Sequence, residues 1–379
     1  MLFREIPGLE DVKKTLIASV QNNHIAHAQL FAGLEGSANL SLALAYSAYI
    51  QCENRTPEDS CGECASCSKH KKLIHPDLHF VFPISTTKTV NKDPLSALFY
   101  KDWRAFLLEN PYNNLVEWGN HIGAENKQLI ISVDESRNVV RTLSLKSFEA
   151  EYKIMIIWLP EVMRGEASNA MLKILEEPPA KTLFILVTNN LEKIITTILS
   201  RTQKVFIPSF SDKLIAGYLT SRYEVEEKRA QQLAFLADGS MDKALRMMTE
   251  IDEDHQQMFR DWMRMCFLLY KKTSNLIELA EWSEMFAKLG RESQKSLLLF
   301  GMNILRETLV YKYTASSLVR LPQEDLKFVE NFSKVLSDDK VEKISRKLNE
   351  CSMYIERNAS SKMVFMDASF HIAQVLNQA

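Results

Sequence analysis

The chain has 379 residues, of which 46% are hydrophobic and 25% charged, and its formal net charge is -2 at pH 7. That length and composition describe a globular protein of two or three domains. The near-neutral balance weighs against a freestanding nucleic-acid binder, which carries a basic excess or face, but it is compatible with DNA contact inside a larger assembly. No stretch is long and apolar enough to span a membrane. The opening Met1-Leu2-Phe3-Arg4-Glu5-Ile6-Pro7-Gly8 lacks the long apolar core of a signal peptide, so a cytoplasmic location is the expectation.

In chain order, residues 9–22 read as a helix and residues 28–33 as a short buried strand. The strand runs into Gly33-Leu34-Glu35-Gly36-Ser37-Ala38-Asn39-Leu40, and an almost wholly apolar helix follows over 39–51. This is the layout of a phosphate-binding loop. Such a loop needs backbone amides, an ammonium on the outer phosphates and a hydroxyl on magnesium. Here Asn39 stands at the lysine position and Leu40 at the hydroxyl position. Gly33 and Gly36 keep the loop flexible and its amides available, which leaves room for weak nucleotide binding without the chemistry.

Four of the six cysteines fall together: Cys52, Cys61, Cys64 and Cys67. Two-residue spacers in Cys61-Gly62-Glu63-Cys64-Ala65-Ser66-Cys67 let neighbouring thiolates turn onto one ion, and Cys52 can complete a tetrahedral sulphur set. Four sulphur ligands leave no coordination position open for water, so the pattern favours a closed structural zinc site, although sulphur ligation alone does not separate zinc from an iron–sulphur centre. His70, His75 and His79 lie nearby and are not needed as ligands. Cys266 and Cys351 sit in apolar helical patterns and read as small buried hydrophobes.

Further strands are expected at 78–83, 153–158, 182–188 and, shorter, 205–207. Apolar strands alternating with helices predict a parallel sheet covered on both faces. Residues 84–128 interrupt the scheme. With Trp103, Phe106, Tyr112 and Trp118 they are too aromatic for a disordered linker, and they read as a partly helical insertion packed on the main domain. In a nucleotide hydrolase the strand at 153–158 would end in carboxylates that hold magnesium and position water. Here Trp158 and Leu159 occupy those places, and Glu161 comes two residues too late to be a secure substitute. Two separate elements have therefore lost their chemistry.

The helix that follows carries Asn169, Lys173 and Glu177 at four-residue spacing and is stopped by Pro178-Pro179. Arg201, in Ile198-Leu199-Ser200-Arg201-Thr202-Gln203, follows another helix. A guanidinium in such a place can stabilise charge on phosphates held by a neighbouring subunit. After Pro208 the pattern turns helical. Residues 211–248 suggest a small helical domain, whose last helix starts at Gly239-Ser240. From about residue 255 onward the segments have helical apolar spacing only, and 366–377 is expected to be the last helix, with Phe370, Ile372 and Val375 on its apolar side.

Taken together, these pieces resemble the delta-prime subunits of the bacterial DNA polymerase III clamp loader, within the AAA+ superfamily. The matching stretches are His27-Ala28-Gln29-Leu30-Phe31-Ala32-Gly33, the four cysteines followed by His75-Pro76-Asp77, Ser144-Leu145-Lys146, Ser168-Asn169-Ala170-Met171-Leu172-Lys173-Ile174-Leu175-Glu176-Glu177-Pro178-Pro179, Thr188-Asn189 and Ile198-Leu199-Ser200-Arg201. The later Arg357-Asn358-Ala359 to Met366-Asp367 stretch matches more loosely. The resemblance implies an α/β fold in three parts. These are an AAA+ parallel-sheet core over 1–208, with the zinc module at 52–67 and the insertion at 84–128; a helical lid over 209–250; and an all-α collar over 255–379 that joins the subunits in a ring. It implies a non-hydrolysing stator that binds structural zinc, does not bind ATP productively, and offers Arg201 to ATP held by a neighbouring motor. Its partners would be gamma/tau and delta subunits in a hetero-pentamer, with the sliding clamp and primed DNA reached through the complex and no membrane involved. Asp242 stands where a motor subunit of this family would carry a second nucleotide-sensing arginine. The enzymatic alternative is a gamma/tau-type motor of the same loader, and a third reading is a zinc-stabilised DNA-binding protein unrelated to clamp loading.

Overall fold

The computed structural model describes residues 1–88, 90–124, 127–163, 165–250, 255–269, 274–314, 323–357 and 359–377. Asn358 of the loosely matching stretch lies outside them, as do the last two residues of the expected collar. The backbone separates into two compact units: Met1–Glu224 with Gly239–Lys243, and Val225–Asp238 with Ala244–Ala379.

The first unit is built on a parallel five-stranded sheet. Its strands are β1 (Ala28–Ala32), β2 (Leu78–Val81), β3 (Lys153–Trp158), β4 (Thr182–Thr188) and β5 (Gln203–Phe206), in the order β2-β3-β4-β1-β5. Every residue of β1, β3 and β4 is buried, as near-continuous apolar strands covered on both faces must be. The register sets Ala28 opposite Phe184 and Ile154 opposite Leu183. α1 (Glu10–Gln21) precedes β1, one face of the sheet is covered by α2 (Asn39–Gln51), which is buried on every side, and α3 (Ala65–Lys71) follows before β2. Alternate residues on the other face, among them Leu30, Ile157 and Leu186, pack under α6 (Val133–Ser144), α7 (Gly165–Glu176) and α8 (Thr196–Leu199). The chain leaves β1 toward one edge of the sheet and leaves β4 toward the other. Their carboxyl ends therefore stand side by side at a topological switch point, the usual place for a site in an open α/β sheet.

β5 starts earlier than the expected 205–207. Gln203 and Lys204 are exposed, yet their backbone pairs with Gln29 and Leu30. An edge strand is extended by backbone hydrogen bonding, which apolar patterning does not report.

The described residues of the insertion contain α4 (Tyr100–Glu109) and α5 (Leu115–His121). Its rings form one cluster with the sheet. Phe82 stacks on Trp103 with centroids 4.2 Å apart, and Trp118 meets Phe82 and Trp103 edge-on at 5.2 and 5.1 Å. Trp158, the last residue of β3, lies 5.1 Å from Trp103. The indole Nε1 of Trp118 donates to the Pro83 carbonyl at 2.7 Å, so the buried ring has no orphaned donor.

The second unit is helical among its described residues: α10 (Glu227–Ala237), α12 (His255–Leu268), α13 (Ser274–Lys288), α14 (Arg291–Thr314), α15 (Gln323–Val335), α16 (Asp338–Glu356) and α17 (Ser361–Asn377), with most of α11 (Met241–Glu250). Its core is aromatic: Trp262 stacks on Phe365 at 4.8 Å and donates to Ser369 Oγ at 2.8 Å. Cys266 and Cys351 are buried, as their patterns indicate. Phe370 does not share the apolar side of α17 with Ile372 and Val375, for it is 40% exposed where they are buried. At about 100° per residue it points almost opposite to Ile372.

Trp103→Ala removes the ring that joins the insertion to β3. It should cost about 3–5 kcal/mol, the range for deleting a large buried aromatic side chain, read as a lower urea midpoint by circular dichroism. An unchanged midpoint would mean that the insertion is not packed on the sheet.

Candidate functional site

The glycine loop leaves β1 and ends at Asn39, the first residue of α2. Gly36 has φ +79°, and a Cβ there would stand 1.9 Å from Ser240 Oγ, so only glycine fits. Gly33 is constrained by contact alone: a Cβ would meet Ser37 Oγ at 2.3 Å. The loop is closed from above by the chain itself, since Met241 N donates to the Gly36 carbonyl at 2.9 Å. Leu34 and Glu35 at the tip are exposed, whereas Gly36 to Leu40 are buried.

Asn39 does not reach outward as a lysine would. Its Nδ2 donates to the Thr188 carbonyl at 3.2 Å and to Asn189 Oδ1 at 2.8 Å, and its Oδ1 accepts from Leu40 N at 3.0 Å. The side chain cross-links the start of α2 to the end of β4 and is neutral. Leu40 is buried and offers no metal ligand. Trp158 and Leu159 are buried too, and Leu159 sits in the left-handed region at φ 55°. Glu161 turns to this same place, where its Oε1 accepts from Asn189 N at 2.8 Å. Burial holds its carboxyl above the usual range despite that bond. The structure thus brings Asn39, Asn189 and Glu161 into one chain of hydrogen bonds, with no cationic side chain in it among the described residues.

Arg201 lies away from this cluster, just beyond α8, and is partly exposed. Its Nη1 donates to the Thr197 carbonyl at 2.9 Å and its Nη2 pairs with the Glu176 carboxylate at the end of α7. Its Nε is buried without a hydrogen-bond partner among the described residues. The guanidinium is held in one orientation while keeping some open surface. Glu176, which does the holding, was not singled out by sequence reasoning, because a glutamate near a helix end carries no signal of a partner 25 residues on.

The four cysteines meet. Their sulphurs all lie within 4.8 Å of one another. Cys52 stands 3.6 Å from Cys61 and from Cys67, and 4.0 Å from Cys64, while Cys61 is 3.8 Å from Cys67. A tetrahedron of thiolates at the zinc–sulphur bond length has edges of about 3.8 Å, so the set fits a tetrahedral ion. The N–H groups of Cys61, Cys64 and Cys67 each point at the sulphur of the preceding cysteine at 3.4 Å. Backbone donors from Glu63 and Cys64 pull the Cys61 thiol down to about 6, whereas burial pushes Cys52 up. A bound cation would remove that conflict by stabilising all four thiolates.

The histidines stay outside the set, and burial keeps His70 neutral by pulling its pKa down to about 3. His70 Nε2 meets Gln51 Oε1 at 2.7 Å, and Gln51 Nε2 donates to the carbonyls of Asp77 and Tyr152 at 3.2 and 2.7 Å. Asp77 accepts three backbone bonds, from Phe148 at 2.6 Å and from Glu149 and Ala150 at 2.8 Å. The cysteine module is thereby tied to the segment that enters β3. Burial raises the Asp77 carboxyl, but these donors outweigh it and hold the group below the usual aspartate range.

The family model described as DNA polymerase III, delta subunit, matches residues 8–211. Among curated proteins the chain is similar to the DNA polymerase III subunit tau of Bacillus subtilis, 26% identical over 65% of this chain and 37% of that protein. It is similar to the subunit delta' of Escherichia coli, 24% identical over 64% of this chain and 60% of that protein. It is also similar to the subunit delta' of Bacillus subtilis, 27% identical over 60% of this chain and 56% of that protein. The matched region therefore spans between about a third and three fifths of the length of these relatives.

Two outcomes follow from the geometry. Elemental analysis of the purified chain should find one zinc per chain, and Cys61→Ser or Cys67→Ser should lose it and lower the thermal midpoint; full metal retention in both would separate the cysteines from the metal. Asp77 has a folded pKa below its unfolded one, so its contribution is complete above the unfolded value of about 3.9 and fades as pH falls through the lower folded value. Asp77→Asn should flatten the loss of urea stability below about pH 4; a parallel pH profile would show that the three backbone bonds do not depend on the charge.

Proposed function

Because this chain belongs to the family described as DNA polymerase III, delta subunit, we propose that it is the delta-prime-type stator of a replicative clamp loader, a subunit that does not hydrolyse ATP. The observation that carries this reading is Asn39. At the position where a motor needs an ammonium on the phosphates, a neutral carboxamide is consumed by Thr188 and Asn189, and the loop is closed by Ser240 and Met241. The buried Trp158 and Leu159 at the end of β3 support it, since neither can hold magnesium or orient water.

In this reading Arg201 does its work across a subunit boundary. Its guanidinium would approach the outer phosphates of ATP bound by a gamma/tau neighbour and stabilise charge as it develops there. The delta subunit, the sliding clamp and primed DNA complete the assembly. The core over 1–208 would carry this group, the segment 209–250 would be the lid, and the helices from 255 onward would form the collar that holds the pentamer together. The four cysteines would hold zinc, which supplies a structural cross-link where the module has little core of its own. A cytoplasmic location accords with this role, and no helix among the described residues is long and apolar enough to cross a membrane.

A motor of the gamma/tau type is the second reading, favoured by the likeness to the tau subunit. It requires magnesium-dependent ATP turnover by the isolated chain, against Asn39, Leu40, Trp158 and Leu159.

Arg201→Ala tests the stator role. The residue's ion pair is partly exposed, and such a pair contributes at most about 1 kcal/mol, so folding should be unaffected. In a loader reconstituted with its motor subunits, DNA-stimulated ATP hydrolysis at the neighbouring site should fall by about two to three orders of magnitude, the range for removing one such charge-stabilising group, and clamp loading should fall with it. Unchanged rates would sink the role.

A further inference from the structure

We propose that residues 110–114 of the insertion are a resident occupant of the space beside the glycine loop, filling with Tyr112 and Asn114 the place that the sugar and base of a nucleotide would need. This rests on reading Gly33–Leu40 as a former nucleotide loop, and it is independent of any role of Arg201.

A nucleotide whose phosphates lie on the amides at the start of α2 must run its sugar and base outward past the first turn of that helix. In this chain the strap Gly239–Lys243 lies on the loop at Gly36, Phe210 N donates to the Gly239 carbonyl at 3.2 Å, and α9 (Asp212–Tyr223) follows Phe210, all within the first unit. Tyr112 is buried among these groups. Its ring meets Phe210 and Tyr218 edge-on at 5.7 and 6.3 Å, and its hydroxyl comes close to Ser41, two residues beyond Asn39.

Asn114 fixes the turn from two sides. Its Oδ1 accepts from Val116 N and Glu117 N at 2.9 and 3.0 Å, capping α5, while its Nδ2 donates to Asp242 Oδ2 at 2.9 Å. Asp242 is fully buried and lies two residues beyond Ser240, which touches Gly36. The Asn114–Asp242 bond ties the insertion to the strap that lies on the loop.

The other end of the insertion covers the second position that lost its chemistry, because Trp103 packs on Trp158 at the end of β3. One segment therefore spans both vacated places, the loop and the strand end. There is a physical reason for a chain without nucleotide to do this. An open cleft between α2 and α9 would forfeit packing on both walls and let the strap move, and a buried aromatic side chain restores the packing.

The test restores the loop and then removes the occupant. Full-length chain carrying A38G/N39K/L40T is compared with the same chain also carrying Y112G/N114G, using a fluorescent ATP analogue with magnesium, and circular dichroism verifies that each is folded. The loop-restored chain alone should bind no better than the parent, and freeing the space should raise affinity by about tenfold or more. Equal binding by the two overturns the proposal, as does a folded five-site variant that does not bind. If the glycine pair prevents folding, Tyr112→Ala alone in the restored chain is read in the same way. Hydrogen exchange on the unaltered chain gives an independent reading: the hydrogen-bonded amides of Asn110, Tyr112 and Asn113 should be protected like those of α2, and fast exchange there overturns the assignment.

Discussion

A carboxamide buried at the carboxyl end of a parallel sheet has to find its hydrogen bonds in the protein, and the arrangement around Asn39 follows from that constraint. Its amide takes the Thr188 carbonyl and the Asn189 side chain, and Asn189 in turn gives its backbone N–H to Glu161. These bonds lock the loop, the end of β4 and the turn after β3 against one another. The same point in a nucleotide hydrolase must stay open and positively charged. A site cannot be both, and here the closed solution has been taken.

The closure has consequences for rigidity. Gly36 allows Ser240 to approach to a distance that no side chain would permit, so the strap 239–243 lies directly on the loop. The strap also carries Asp242, which the insertion holds through Asn114. At the opposite end of the insertion, indole and phenyl rings pack on Trp158. The first unit is thus cross-braced at its switch point by polar and aromatic contacts that a mobile ATP-dependent element would have to break in each cycle. In the proposed stator reading there is no such cycle, and a subunit that presented a fixed guanidinium to its neighbour would gain accuracy from a stiff frame.

Much of the fold was legible in the sequence because its signals are local. The apolar runs at 153–158 and 182–188 coincide with β3 and β4, and the helix over 39–51 coincides with α2. The cysteines came together as their spacing indicates, since a two-residue spacer leaves two thiols few ways to turn. The weaker signals slipped at edges and on mixed faces. β5 begins at polar residues that pair only through their backbone, and Phe370 falls on the exposed side of α17 although its neighbours in sequence are buried. Glu176, Tyr112 and Asn114 gave no warning of their partners, because each is an ordinary residue in an ordinary segment.

The sequence by itself determined what is missing: no lysine at 39, no hydroxyl at 40 and no acids at 158 and 159 can be read without coordinates, because a side chain's chemistry is fixed by its identity. It determined as well that four thiols would share one place. Only the tertiary structure decided what fills the vacated positions. Asn39 could have pointed outward, Arg201 could have been loose in solvent, and the insertion could have packed anywhere on the surface. Their placement depends on contacts between residues as far apart as Asn39 and Asn189 or Asn114 and Asp242. Such contacts arise from the register of the sheet and the close approach at Gly36, and local propensity does not encode them.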